Sequence, residues 1–469
     1  MAIDTDKANK TELEPLHAWE EVFFKGLKKT SFNWSVIGVT TYTKDKSDNN
    51  DDLLENIRSI YQDIITNAEK FKKIVVEKKG KLYWSDCKKF DLNEHITIID
   101  ETVIREKSIN RIVEDKFEQP FNKNRPYWYV YIIDDHKNNQ YTTISNIHHG
   151  LIQSYPMVLS KTFNDREYNT NIINHSPKKL ADLKNTNQLD QKKPPSKLHE
   201  LLKVIVSFGH LMAIFVSIIY HQRNTINHNV VGTKRKIALV NTDRSLINTI
   251  KKDLNCTFND VLVAIFARAL TSLLISRGYT TKEISKFSTY VALPVSSIEK
   301  KWGVSALLIK LELNTFSFKK IVKKINYSTS ISKKRNIAEA IALVGSRIFN
   351  LGLSSKMMKI STATISNIPD YGVGDMYLKN TKSKVLSLYP LGSVTQGQAL
   401  VCVNYTHNKK VFIGLSADGE LFPDLIKLEH GFNQVIRRLN SQYQFDGGIN
   451  KNTLDDINIR NIGKSYDHV

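Results

Sequence analysis

The feature that most constrains the fold of this chain is a linker-like stretch near its middle. Residues 176–200 (SPKKLADLKNTNQLDQKKPPSKLHE) contain two adjacent prolines, few large apolar side chains and an excess of lysine, a composition typical of linkers. The chain has 469 residues, 41% of them hydrophobic, which is more than one small core can organise. The sequence therefore predicts two domains with a boundary near residue 176.

Strand and helix patterns alternate before this linker. Residues 35–43 (SVIGVTTYT) predict a strand, and residues 51–76 have apolar residues at the spacing of an amphipathic helix. Residues 127–134 and 141–147 are two β-rich runs separated by the polar DHKNNQ, which predicts a hairpin that ends at His148 and His149. We expect a first α/β domain over residues 1–175.

The alternation resumes near residue 236. Thr257 and Asp260 have the spacing of a capping box, and a long apolar helix follows as far as Gly278. The runs 399–405 and 411–417 flank a polar turn and predict a hairpin, and residues 423–439 predict a closing helix. Residues 236–469 therefore form a second α/β domain in this prediction.

The segment between the domains contains a long apolar run. Residues 201–220 (LLKVIVSFGHLMAIFVSIIY) approach the length of about 20 residues that spans a bilayer, but Lys203, Ser207 and His210 interrupt them. Basic residues flank both ends, whereas orientation rules place such charge on the cytoplasmic side. We expect a helix within 176–235 that packs on the protein or lies on the cytoplasmic membrane surface. The apolar run 261–275 contains Arg268 and predicts a core helix.

Charge and cysteine content narrow the class of function. A net charge of +20 suits nucleic acid, anionic lipid or an acidic small molecule such as coenzyme A. Lysine spread along the chain, without an arginine-rich stripe or zinc-finger spacing, argues against nucleic acid. The three cysteines lie far apart, which excludes a disulfide framework and a cysteine-based metal site. The charged N-terminus is not a secretory signal, so we expect a reducing compartment.

The adjacent histidines in ISNIHHGLIQS (144–154) are the strongest chemical signal in the chain. Neighbouring residues of a strand point to opposite faces, so one of His148 and His149 can enter a cavity while the other packs inward. A neutral imidazole is well matched to taking a proton from an alcohol near neutral pH. Adjacent histidines do not aim at one ion, and no HExxH pattern accompanies them, so we expect no metal site.

A resemblance to a known family gives these histidines a context. The block NRPYWYVYII…YTTISNIHHGLIQS resembles the RPLWE…HH of the wax ester synthase/diacylglycerol acyltransferase family, whose active motif is HHxxxDG. His148 and His149 match its two histidines, and Arg125 and Trp128 match the upstream RPLW. Further similar blocks are FDLNEH (90–95), CTFNDVL (256–262), VALPVS (291–296), SNIPDYG (366–372) and LYPLGSVTQGQAL…VFIGLSADGELFPDL (388–425). These landmarks follow the family order, and the chain is identified as a member.

The resemblance implies an α/β fold of two chloramphenicol-acetyltransferase-like, or condensation-domain-like, halves with a tunnel along their interface. It also implies an acyl-CoA-dependent O-acyltransferase that makes wax ester or triacylglycerol from a long-chain alcohol or diacylglycerol. His149 would be the catalytic base and His148 its structural partner in the motif. Asn259, Ser366 and Asn367 would line the substrate site. Acyl-CoA is then a substrate, no metal or bound cofactor is required, and we expect the catalytic body in the cytoplasm at the endoplasmic reticulum or plasma membrane.

This sequence departs from the family motif at two positions, where Gln153 and Ser154 replace Asp and Gly. In relatives the Asp is thought to hold the loop by pairing with a basic residue, whereas Gln153 can hydrogen-bond but has no charge. One alternative is therefore a catalytically impaired acyl-lipid-binding pseudoenzyme of the same fold. Another is a condensation-domain-like enzyme that acts on a carrier protein and would be accompanied by carrier or adenylation modules.

Several motif residues also have simple structural interpretations. Core packing is the alternative for Trp128, and helix capping is the alternative for Asn259 and Asp260. Ser366 and Asn367 precede a proline and could form a turn without any role in binding.

Overall fold

The structure is a computed structural model with two compact units. It describes residues 13–17, 20–21, 23–24, 34–44, 50–164, 209, 232–287, 289–296, 304–315, 317–334, 361–368, 375–394 and 398–445. One unit comprises Met1–Ile172 with Gly374–Leu388, and the other comprises Ile173–Val373 with Tyr389–Val469. The linker 176–200 and the apolar run 201–220, apart from Gly209, lie outside the described residues.

Strands and helices alternate through both units. The strands are β1 (Glu14–Pro15), β2 (Ser35–Thr43), β3 (Lys73–Lys78), β4 (Lys81–Asp86), β5 (Ile96–Ile98), β6 (Trp128–Asp135), β7 (Gln140–His148), β8 (Phe163–Asn164), β9 (Arg235–Asp243), β10 (Thr289–Ser296), β11 (Val304–Leu311), β12 (Ala363–Ile368), β13 (Tyr377–Leu378), β14 (Val385–Gly392), β15 (Leu400–His407) and β16 (Lys410–Asp418). The helices are α1 (Asn50–Asn67), α2 (Glu101–Glu106), α3 (Ile109–Glu118), α4 (Tyr155–Thr162), α5 (Arg244–Asp253), α6 (Phe258–Ser276), α7 (Thr281–Ile284), α8 (Phe318–Lys334) and α9 (Leu425–Phe445). The predicted α/β class is confirmed.

The main sheet of the first unit places the histidine pair at the end of a central strand. Its five strands have the order β14-β2-β7-β6-β5. Strand β7 pairs antiparallel with β6, as the predicted hairpin requires, and with β2, where Ser35 lies opposite His148. A smaller sheet has the order β1-β4-β3.

The helix predicted over residues 51–76 is wrong beyond residue 67. Helix α1 ends at Asn67, a 3-10 turn covers Glu69–Lys72, and Ile74 to Val76 lie in β3. These β-branched residues favour a strand once a partner is available, and β4 is that partner. The signal for this hairpin is the Lys79–Gly80 turn, where both residues have positive φ (50° and 75°).

The second unit is built on a six-stranded sheet in the order β11-β10-β12-β15-β16-β9. Its core centres on α6, most of whose residues are buried. Among the described residues, Phe258–Ser276 is also the one helix long and apolar enough to span a membrane, but 83% of that window is buried in the protein. It is therefore a core helix, as predicted.

Residues 374–388 belong to the first unit although they come late in the chain. Strand β13 pairs with β8, and the Lys379 N–H donates to the Thr162 carbonyl (2.9 Å). The Thr43 N–H donates to the Lys384 carbonyl (2.9 Å). The sequence alone predicts that the whole of 236–469 belongs to the second domain.

Candidate active site

His148 is a packed, fully buried residue. Its Nδ1 accepts a hydrogen bond from the Gly150 N–H (3.1 Å), and its ring stacks on Phe24 with centroids 4.2 Å apart. Phe121 and Tyr127 also pack against it. Burial, with a smaller effect of His149, lowers the pKa of His148 from 6.5 to about 3, so the ring is neutral. These contacts give it a structural role.

His149 opens the 3-10 turn His149–Ser154 directly after β7. Its N–H donates to the Trp34 carbonyl (2.6 Å), and its ring lies 4.2 Å from the Phe23 ring, centroid to centroid. Unlike His148, it keeps part of its surface exposed. Burial lowers its pKa from 6.5 to about 4, so at neutral pH the ring is in the form that accepts a proton.

The upstream motif residues Arg125 and Trp128 pack on the FDLNEH block, which ring contacts through Tyr129 and Phe121 join to His148. Arg125 pairs with Glu94 through Nη2 and Oε1 (2.8 Å). Trp128 Nε1 donates to the Phe71 carbonyl (2.7 Å), and its ring stacks on His95 with centroids 4.6 Å apart. The RPxW and FDLNEH motifs therefore meet in the structure as packing partners. Gln153 lies in the turn that begins at His149, and its side chain is outside the described ones.

The site residues predicted in the second unit have different surroundings. Asn259 is exposed in the first turn of α6, next to the buried Asp260. Ser366 and Asn367 lie in β12 rather than in the turn that the sequence suggested. The Ser366 carbonyl accepts from Asn404 Nδ2 (3.2 Å). Asn367 Oδ1 is buried and has no hydrogen-bond partner within the described part of the chain. The substrate-binding role of Asn259, Ser366 and Asn367 stays a prediction.

Asp260 caps the start of helix α6. Its Oδ2 accepts from the Thr257 N–H (2.9 Å), and Thr257 Oγ1 accepts from the Asp260 N–H (3.2 Å), which completes the predicted capping box. The same carboxylate also accepts from Asn326 Nδ2 (2.8 Å) and Thr329 Oγ1 (3.0 Å) on α8. Asp260 therefore joins two helices.

Sequence reasoning missed the aromatic and acidic residues that precede β2. Phe23 and Phe24 contact the two histidines, and Glu20 is buried beside them. The only local signal was an apolar pair in a charged stretch, which fits any amphipathic helix. Among the described residues, no cluster of His, Cys, Asp or Glu could hold a metal ion.

Two family models match the chain. The model described as the wax ester synthase/diacylglycerol acyltransferase catalytic domain matches residues 21–262. The model described as the WS/DGAT C-terminal domain matches residues 304–440. The first match includes both the histidine pair and the Phe23–Phe24 pair.

Known proteins are similar over most of the length. The O-acyltransferase WSD of Acinetobacter baylyi is 22% identical over 406 residues, covering 78% of this chain and 86% of that protein. The wax ester synthase/diacylglycerol acyltransferase from Marinobacter aquaeolei VT8 has a TM-score of 0.61 at 17% identity, covering 91% of this chain and 99% of the other. The first condensation domain of the calcium-dependent antibiotic synthetase has a TM-score of 0.55 at 10% identity, covering 92% and 97%. The condensation-domain-like fold is confirmed.

Proposed function

Since this chain belongs to the wax ester synthase/diacylglycerol acyltransferase family, we propose that it is an acyl-CoA-dependent O-acyltransferase in which His149 is the general base. The observation that supports this role is the difference in exposure within the motif: both rings are neutral, but His148 is fully buried among aromatic rings, whereas His149 is partly exposed. A base needs a neutral ring that its substrate can reach.

The reaction joins an alcohol to an acyl group. His149 takes the proton from the hydroxyl of a long-chain alcohol or diacylglycerol as that oxygen attacks the thioester carbonyl of acyl-CoA. The C–S bond then breaks, and the protonated imidazole gives its proton to the leaving thiolate, so the products are wax ester or triacylglycerol and free CoA. Holding both substrates beside one base makes the step effectively intramolecular. No covalent enzyme intermediate, metal or bound cofactor takes part in this scheme.

His148 supports the base without contacting substrate. Its Nδ1 accepts the Gly150 N–H, so it fixes the backbone on the C-terminal side of His149. The Trp34 carbonyl fixes the N–H of His149 itself. Together these bonds hold the turn that presents the base.

A lipid assay tests the activity and the base together. The protein and its His149→Ala variant are expressed in a host without wax ester or triacylglycerol, with and without added long-chain alcohol, and the lipids are separated by thin-layer chromatography. We expect ester from the parent protein and a loss on the order of 100-fold or more in the variant. His136→Ala, at an exposed histidine of the same unit, should retain full activity.

Two outcomes would contradict the proposal. Ester formation by His149→Ala at the parental rate would remove His149 from the mechanism. No ester from the parent protein, together with acyl-CoA binding that is still measurable, would favour the lipid-binding pseudoenzyme that the Gln153 substitution suggests.

We further propose that the protein works at a cytoplasmic membrane surface, of the endoplasmic reticulum or plasma membrane, where its apolar substrates are concentrated. The support is the outer face of α8. Phe318, Ile321 and Ile325 bury the inner face, while the outer face exposes Lys320, Lys323, Lys324 and Tyr327. Anionic headgroups attract lysines by about 1 kcal/mol each, and tyrosine favours the interface.

Vesicle sedimentation tests this surface. The parent protein should bind phosphatidylcholine vesicles more tightly when phosphatidylserine is included. Replacing Lys320, Lys323 and Lys324 by Gln should reduce the gain in binding from phosphatidylserine on the order of tenfold or more. The same change at Lys78, Lys79 and Lys81 of the β3–β4 hairpin should leave this gain unchanged. Equal effects of the two triple variants would mean that net charge, not this helix, attracts the protein.

A further inference from the structure

Two adjacent phenylalanines face the two adjacent histidines. The Phe23 ring lies 4.2 Å from the His149 ring at an interplanar angle of 31°, and the Phe24 ring lies 4.2 Å from the His148 ring at 24°. Trp34 completes the aromatic surroundings of His149, 5.1 Å from Phe23 and 6.4 Å from the imidazole, centroid to centroid. Each histidine therefore has one phenylalanine against its face.

The segment with these phenylalanines is anchored through Glu20. This carboxylate is buried and accepts hydrogen bonds from Lys70 Nζ (2.7 Å), Trp84 Nε1 (3.2 Å) and the His17 N–H (2.8 Å). Phe24 packs edge-to-face on Trp84, with centroids 5.2 Å apart. A buried carboxylate with three hydrogen-bond donors has little freedom to move. Because Phe23 and Phe24 follow Glu20 closely in the chain, their rings are held in place against the histidines.

Close packing leaves the histidine turn little freedom at Gly150. A Cβ at this position would lie 2.3 Å from Phe24 Cε2, well inside van der Waals contact. The glycine therefore lets the Phe24 ring approach the turn, and the aromatic pair and the histidine pair fit as one assembly.

His149 lacks the hydrogen bond that usually orients a catalytic imidazole. Its Nδ1 is buried and has no hydrogen-bond partner among the residues that the structure describes, and the motif position that holds Asp in the family is Gln153. Among the described residues, therefore, no hydrogen bond at Nδ1 sets the ring orientation or the tautomer of His149. Among the described residues, the side chains that contact this ring include the aromatic rings of Phe23 and Trp34.

We infer that Phe23 is the positioning residue of His149, whose ring it orients and shields from water where no hydrogen bond at Nδ1 does so. The inference rests on His149 being the base. The Phe23 ring, tilted by 31° against the imidazole at 4.2 Å between centroids, restricts rotation about the Cβ–Cγ bond of the histidine. Among the described residues, the titratable group against His149 is His148, and the other elements present apolar rings and the Trp34 carbonyl.

Three substitutions at Phe23 separate orientation from simple packing. We expect Phe23→Ala to lower kcat about tenfold or more with little change in KM, since misplacing a base weakens the chemical step. Water that enters beside His149 should raise its pKa, so the acidic limb of kcat/KM should move up by about one pH unit. Phe23→Tyr keeps the ring and should retain parental kcat and pH profile. Phe23→Leu keeps apolar bulk without the ring, so its kcat should lie between that of Phe23→Ala and that of Phe23→Tyr.

The matched control is another phenylalanine that packs on a histidine of the same unit. Phe90 lies 5.4 Å from the His95 ring, centroid to centroid, and Phe90→Ala should change neither kcat nor the pH profile beyond what its loss of folded protein explains. Circular dichroism measures that loss in every variant. If Phe23→Ala does not fold, the comparison of Phe23→Leu with Phe23→Tyr decides the question.

The results distinguish this inference from the proposed function. Parental kcat and an unmoved acidic limb in folded Phe23→Ala or Phe23→Leu would overturn the positioning role while His149→Ala stays inactive. Activity in His149→Ala would instead refute the proposed base, and the role of Phe23 with it.

Discussion

Burial lowers the pKa of both motif histidines. It lowers the pKa of His149 to about 4 and that of His148 to about 3, against 6.5 for the unfolded chain. Between pH 6.5 and 4 the unfolded chain binds protons on these rings that the folded protein does not bind. The free energy of unfolding should therefore be highest above pH 6.5 and fall as the pH is lowered towards 4.

Urea unfolding at pH 7 and pH 5 measures this dependence. His149→Gln should reduce the difference between the two midpoints, because one of the two rings no longer titrates. An unchanged difference in His149→Gln would mean that this ring is well solvated in the folded state.

The histidine pair could be found from sequence, whereas its surroundings could not. The β-rich run and the HH motif are local and pointed to His148 and His149. Phe23 and Phe24 lie about 125 residues earlier in the chain, and contacts at such separation leave no local pattern. The same limit applies to Trp128, for which the sequence offers core packing as the alternative but does not indicate His95 as the packing partner.

At the scale of elements, one carboxylate joins the start of α6 to α8. Asp260 accepts bonds from Thr257, Asn326 and Thr329 in the buried core of the second unit. We predict that Asp260→Ala lowers the free energy of unfolding by about 2–4 kcal/mol, since it leaves the buried Thr329 hydroxyl and the half-buried Asn326 amide without this acceptor. The urea midpoint of the variant measures this.

Helix α7 provides the control, because Thr280 and Glu283 form a capping box of the same geometry at the surface. Glu283→Ala should lower the free energy of unfolding clearly less than Asp260→Ala does, since Glu283 has no bond to a second helix among the described contacts. Equal losses would mean that the bonds to α8 add nothing. The sequence predicted the cap from spacing, but Asn326 and Thr329 lie 66 and 69 residues away and gave no signal.

At the scale of the molecule, the first unit depends on a segment from the far end of the chain. Residues 385–388 begin the strand that covers β2 at the edge of the sheet, and β13 pairs with β8. Asp63 on α1 also pairs with Lys379 (3.2 Å) and Lys161 (3.1 Å), although partly exposed ion pairs such as these add little stability. The strand pairing is the larger contribution, because it satisfies backbone groups and removes an exposed edge.

Fragments test this dependence. We predict that residues 1–172 alone aggregate and unfold without cooperativity. The same fragment followed by residues 374–388 through a Gly/Ser linker should remain soluble and unfold cooperatively in urea, and a scrambled version of the added segment should not rescue it. Cooperative unfolding of residues 1–172 alone would show that the unit is complete without the segment.

This arrangement has a consequence for synthesis on the ribosome. The histidine turn leaves the exit tunnel early, but the strand that completes its sheet follows more than 200 residues later. At about 5–20 residues per second the delay is roughly 10–40 s, far longer than the microseconds in which a hairpin forms. Throughout that interval the edge of β2 opposite β7 lacks its strand partner, and its backbone hydrogen-bonding groups are exposed. Nascent chains should therefore bind chaperones until residue 388 emerges, and synonymous codons that slow translation between residues 173 and 374 should increase aggregation without altering a single side chain.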